Sequence, residues 1–166
     1  MDPKFDDEYR SLRLEIVERV KILHSLITTS IIIGLVGLVI AMLLLGNAEI
    51  LSIFLLFLAM IFPLLAFNYQ ANQMTLEGIA KYLNTDYREH QVDKNALGWD
   101  DFYGQLKKTR RLTSFLKVLP FFLPLVIPIY LLAIGSAQTG WPLALAIIDL
   151  VLYALAIYNF RYKFEK

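Results

Sequence analysis

No Asp, Glu, Lys or Arg occurs between Ser25 and Ala48, and Leu26–Leu45 within that stretch is almost wholly apolar. As a helix, such a run crosses a hydrocarbon layer about 30 Å thick. Ile50–Phe67 is a second charge-free run, and Val118–Phe160 carries one charge, Asp149. The polar segment Gly135–Gly140 divides that last region into Val118–Ile134 and Pro142–Tyr158, each of 17 residues. At ~1.5 Å per residue each gives roughly 26 Å of helix, the short end of a membrane span. Composition agrees: the 166 residues are 57% hydrophobic and 19% charged, against about 45–50% and about 25% in soluble domains. A soluble chain of this size cannot hide so much apolar surface. Disorder and a disulfide scaffold are excluded on the same grounds. The absence of Cys removes thiolate metal sites and a Cys nucleophile as well. The expected fold is therefore an all-α membrane protein with four transmembrane helices.

The basic residues orient the spans. Lys4, Arg10, Arg13, Arg19 and Lys21 precede the first; Lys81, Arg88, Lys94, Lys107, Lys108, Arg110, Arg111 and Lys117 lie between the second and third; Arg161, Lys163 and Lys166 follow the fourth. These are all 16 Lys and Arg of the chain, and neither short connecting loop holds one. The positive-inside rule then puts both termini and the central segment in the cytosol. A plasma (bacterial inner) membrane location is expected. No cleavable signal is expected either, because the first apolar run is too long for a signal-peptide core.

Five segments follow: a cytosolic amphipathic helix (1–24), a transmembrane hairpin (25–67), a cytosolic helical hairpin (68–117), a second transmembrane hairpin (118–158) and a cytosolic tail (159–166). Tyr9, Leu12, Ile16, Val20, Leu23 and Ile27 recur at spacings of three and four, an apolar stripe on one helix face. Asp6, Asp7 and Glu8 suit the first turn of that helix. In the central segment Leu76, Ile79, Ala80 and Leu83 continue the second span as a helix, Asn84–Gly98 is polar and turn-rich, and Trp99, Phe102, Tyr103, Leu106 and Leu112 rebuild a stripe. About 50 residues with so few apolar anchors cannot close a core alone. Leu12, Ile16, Trp99 and Phe102 are accordingly the expected cytosolic packing surface, facing either the chain's own segments or a protein partner.

The pattern Ile79-Ala80-Lys81-Tyr82-Leu83, then Leu97-Gly98-Trp99-Asp100 and the basic Lys107–Arg111, resembles a group of uncharacterised small multi-span membrane proteins of bacteria. Their cytosolic segment carries IA-x-Y-L … L-G-W-[DE] after an N-terminal amphipathic helix. The resemblance spans roughly residues 5–117 and implies topology more than activity.

Signatures of enzymes are scarce. His24 and His90 stand in no H-E-x-x-H pattern, and no nucleophile elbow or phosphate-cradling glycine loop occurs. Asp86, Glu89, His90 and Asp93 are more simply a solvated loop than a ligand set. The run Lys107–Arg111 suits anionic headgroups, at about 1 kcal/mol per basic residue near the surface. It lacks the interleaved aromatics of a nucleic-acid platform. No cofactor is expected, and no nucleic acid.

Two features inside the membrane carry more. Asp149 lies seven residues into the fourth span. An ionised Asp at a span centre costs about 2.5–3.5 kcal/mol, against roughly −0.3 to −0.6 for each Leu, Ile or Val. Nine such residues in Pro142–Tyr158 offset it narrowly, and no Lys or Arg lies in any span to pair with it. Asp149 is thus expected as a neutral acid sharing a polar contact with Tyr130 or Tyr153, serving either ion or proton handling or helix association. The second feature is Pro120, Pro124 and Pro128, which fall on nearly one face and free the carbonyls of Leu116, Pro120 and Pro124. The third span should bend there with its proline face against protein or water, as a gating hinge or a static packing kink. Taken together, these features predict a non-enzymatic protein of the lipid bilayer. It would form a homo-oligomeric channel or pore-type effector, with a structural or regulatory subunit as the alternative.

Overall fold

The computed structural model describes residues 3–90, 117–135 and 140–164. Among them there is no strand: helix α1 (Pro3–Leu43), helix α2 (Ala48–His90), helix α3 (Lys117–Ala133) and helix α4 (Gly140–Phe164) account for nearly all of it. Three stretches, Arg10–Leu43, Ala48–Leu83 and Gly140–Phe160, are long and apolar enough to cross a membrane, whereas Lys117–Ala133 is apolar but shorter. With 41 and 43 residues, α1 and α2 are each over 60 Å long at ~1.5 Å per residue. A 30 Å hydrocarbon layer needs about half of that.

Local chemistry sets the ends. The amide of Asn47 donates to the Leu44 carbonyl (2.9 Å), and the Asn47 side-chain oxygen accepts from the amide of Ile50 (3.2 Å). Asn47 is thereby the N-cap of α2, with Glu49 in the first turn. α3 ends in the same spirit: Gly135 takes a left-handed φ of 82° and donates to the Leu132 carbonyl, a conformation that glycine adopts without a steric penalty. α2 continues through Asn84–His90, which the sequence reads as turn-rich. No Gly or Pro interrupts those seven residues, and adding one residue to an existing helix costs far less than nucleating one.

The chain divides into two compact units. One comprises Met1–Ser25 and Ala71–Lys117, the other Leu26–Gln70 and Val118–Lys166. In the first, α1 and α2 run antiparallel, tied at two levels. Tyr82 donates its hydroxyl to Glu8 (3.0 Å), and Arg19 donates to the side-chain oxygen of Asn72 (2.8 Å) while also reaching Glu15 (3.3 Å). Leu12 and Ile16 are half-buried. Trp99 and Phe102 lie outside the described residues, as do Asp93 and Lys107–Arg111.

In the second unit, Ser30, Gly34 and Gly37 place small groups along one face of α1. A Cβ on Gly37 would run into Leu58 of α2, and one on Gly34 would rest 3.8 Å from Phe62. Close approach of two helices through small residues is a common membrane solution, since lipid supplies no hydrophobic drive between helices. Ser30 and Ser52 return their hydroxyls to their own helices, on the carbonyls of Ile27 and Ala48. The buried face of α2 is Ser52, Leu56, Ala59, Phe62, Pro63, Ala66, Tyr69 and Gln70. Leu56 forms a core cluster with Leu131 of α3 and Ala146 of α4. Large apolar side chains of α1, among them Ile31, Ile32, Leu35 and Val36, stay outward, as a surface bathed in lipid allows.

Candidate intramembrane polar site

Helix α4 buries Ala146, Asp149, Tyr153, Ala156 and Phe160, positions spaced by three and four that form one stripe. Asp149 therefore points inward, at 1% exposure, toward its own chain. The reason is geometric: its stripe-mates are the residues that α2 and α3 cover. Phe122 of α3 packs against both Tyr153 (ring centroids 6.4 Å apart) and Phe160 (5.5 Å), while Phe121 lies 5.3 Å from Tyr69 of α2.

The hydroxyl of Tyr153 donates to the backbone carbonyl of Ala59, 3.1 Å away and fully buried. That acceptor is no arbitrary one. In an α-helix the carbonyl of Ala59 would receive the amide of residue 63, and residue 63 is proline. Pro63 thus leaves a bare acceptor inside an apolar region, and Tyr153 supplies the donor from another helix. Signals for this pair are present in the sequence, as Pro63 and the position four before it. Nothing there says which hydroxyl meets the freed carbonyl.

Asp149 differs. Neither carboxylate oxygen has a hydrogen-bond partner among the described residues. Tyr130, expected beside it, is 59% exposed on the outer side of α3, and Tyr153, one turn along α4, is already committed to Ala59. Among the described residues neither tyrosine is hydrogen-bonded to Asp149, and Pro63 gives Tyr153 another acceptor in the Ala59 carbonyl. Gln70, a residue the sequence does not single out, is another buried polar group of this unit, and its amide nitrogen also lacks a partner among the described residues.

The three prolines divide. Pro124 and Pro128 are buried and Pro120 is half-buried. α3 tightens to a 3₁₀ turn at Leu123–Leu125, where the amide of Val126 donates back to the Leu123 carbonyl. The same amide also reaches the carbonyl of Pro124, the one that Pro128 deprives of its helical donor. Asp86, Glu89 and His90 sit on the last turns of α2, where no side chain is described. Among the described residues no three His, Cys, Asp or Glu side chains gather as a metal site. No family model, curated protein or solved structure matches the chain.

Proposed function

We propose that the chain is a non-enzymatic membrane protein with four spans, α3 being the short one, and with both termini and residues 68–117 in the cytosol of a bacterial cell. It assembles as a homo-oligomer and acts as a channel or pore-type membrane effector, with Asp149 meeting the proton or cation that passes. One observation carries this reading: a carboxyl group 1% exposed, without a hydrogen-bond partner among the described residues. Helix association does not account for such a group, since an acid kept as glue would be hydrogen-bonded. Ionisable residues inside spans mark ion or proton paths by default. The cytosolic hairpin would then be where a protein partner acts. Nucleic acid has no place in this reading, and the bilayer is the obligatory surroundings.

Liposome flux tests it, with wild type, Asp149→Asn and Asp149→Leu compared at matched oligomeric state. Asparagine keeps the shape and removes the titration, so assembly should persist while flux or its pH dependence is lost. Equal flux through all three proteins would end the ion-handling role. A second reading, a structural or regulatory subunit without conduction, is favoured by the direction of Asp149: it faces its own chain, so copies around an axis would not line a shared path with it. A strictly monomeric particle in nanodiscs would remove the pore and leave that second reading.

A further inference from the structure

Between Tyr153 and its surroundings there is one proton to donate and there are two buried acceptors. One is the Ala59 carbonyl, stripped of its helical donor by Pro63 and now bonded at 3.1 Å. The other is the carboxyl group of Asp149, four residues before Tyr153 on the same face and without any partner among the described residues. Residues four apart on a helix are side-chain neighbours, and long helical side chains lean over the turn N-terminal to their own Cα, here the turn that holds Asp149.

We propose that the Tyr153 hydroxyl is a two-position latch between α2 and α4. Closed on Ala59, it seals the gap that Pro63 leaves in α2. Captured by the Asp149 carboxylate, it leaves that gap open. The choice follows the charge of Asp149, because a hydrogen bond to an ionised acceptor is roughly twice as strong as a neutral one. A neutral Asp149 leaves the tyrosine to the carbonyl. An ionised one outbids it, and the bare carbonyl must then find a new donor through movement of α2 at Pro63. Among the residues of this unit whose side chains are described, no other titratable group competes for Asp149: Glu49 on α2, Tyr130 on α3 and Tyr158 on α4 are exposed, and Tyr69 on α2 is packed against Phe121. The latch works whether or not the protein conducts, since it concerns one chain.

The natural absence of Cys makes the test direct. Nitroxide labels at Leu64 and Ile157, both exposed, report the separation of α2 from α4 in nanodiscs by pulsed electron paramagnetic resonance. Wild type should show two distance populations about 1–2 Å apart, the scale of helix shifts in switching proteins, exchanging in weight between acidic and alkaline buffer. Asp149→Asn should hold the acidic population at every pH. Pro63→Ala should abolish the response, because the restored amide occupies Ala59 and the tyrosine no longer ties the helices. A wild-type distribution indifferent to pH would overturn the latch. So would a response that survives in Tyr153→Phe, since a purely structural tyrosine would alter stability without being needed for the response.

Discussion

Gly34 and Gly37 give the sharpest test of how α1 meets α2. Both are helical, and in each case alanine removes the backbone-entropy penalty of a mid-helix glycine, about 0.5–1 kcal/mol. The two differ in what the new methyl meets. At position 34 the nearest neighbour is Phe62 at 3.8 Å, ordinary contact, so Gly34→Ala should stabilise the protein by about 0.5–1 kcal/mol. At position 37 the methyl would collide with the Cδ2 of Leu58, with Cδ1 at 2.9 Å and Cγ at 3.2 Å. Overpacking of this sort costs about 1–3 kcal/mol, which outweighs the entropy gain. Gly37→Ala should therefore destabilise by up to about 2.5 kcal/mol, falling toward zero if the half-buried Leu58 can change rotamer. Reversible unfolding in mixed micelles, followed by loss of helical circular dichroism, measures both. Leu58→Ala should relieve Gly37→Ala, so the double mutant ought to be more stable than the sum of the two single changes. A Gly37→Ala protein as stable as Gly34→Ala, with no coupling to Leu58, would refute the close approach.

Sidedness is equally accessible: single cysteines at Asn47 and Gln138 should react with an impermeant thiol reagent outside intact cells, and those at Ser11 and Asn95 should not, labelling of Asn95 being incompatible with four spans. Trp99→Ala should lower the melting temperature, and removal of residues 2–20 should expose the indole to a quencher; an unchanged quenching profile would show that Trp99 does not rest on Leu12 and Ile16. Arg19→Ala should cost more than Glu15→Ala, because the Arg19–Asn72 bond joins two helices while the Glu15–Arg19 pair is a half-exposed contact within one, worth about 0.3–0.5 kcal/mol. Equal losses in the two variants would deny the inter-helix bond its role.

The helical class and the apolar helices were legible because charge is excluded from long runs, and exclusion survives any error in element boundaries. The extension of α2 to His90 was less so, since Asn84, Thr85 and Asp86 are indifferent helix formers whose conformation is decided by the helix already running into them. Facing was the hardest to read. α4 is apolar on nearly every side, so periodicity offers no polar face to say where Asp149 points. Its direction comes from the pairing of Tyr153 with Ala59, a contact between residues 94 apart in sequence. On α1 the three-and-four spacing of Ser30, Gly34 and Gly37 held the necessary signal, yet it takes Leu58 and Phe62 across the interface to give it meaning.

The turn at Leu44–Asn47 restricts how the first two helices can move within the membrane-spanning unit. Only four residues separate Leu43 from Ala48, and they are tied by bonds from Leu44 to Ile40, from Asn47 to Leu44 and from Leu51 to Asn47. A piston stroke of α1 past α2 by one helical turn, ~5.4 Å, would tear out the Asn47 cap and carry Leu58 away from its seat on Gly37. Splay of this unit at the end away from the turn requires neither. A force applied along α1 is thus returned through α2 as a tilt of the whole hairpin, which makes this turn a fulcrum rather than a slack connection.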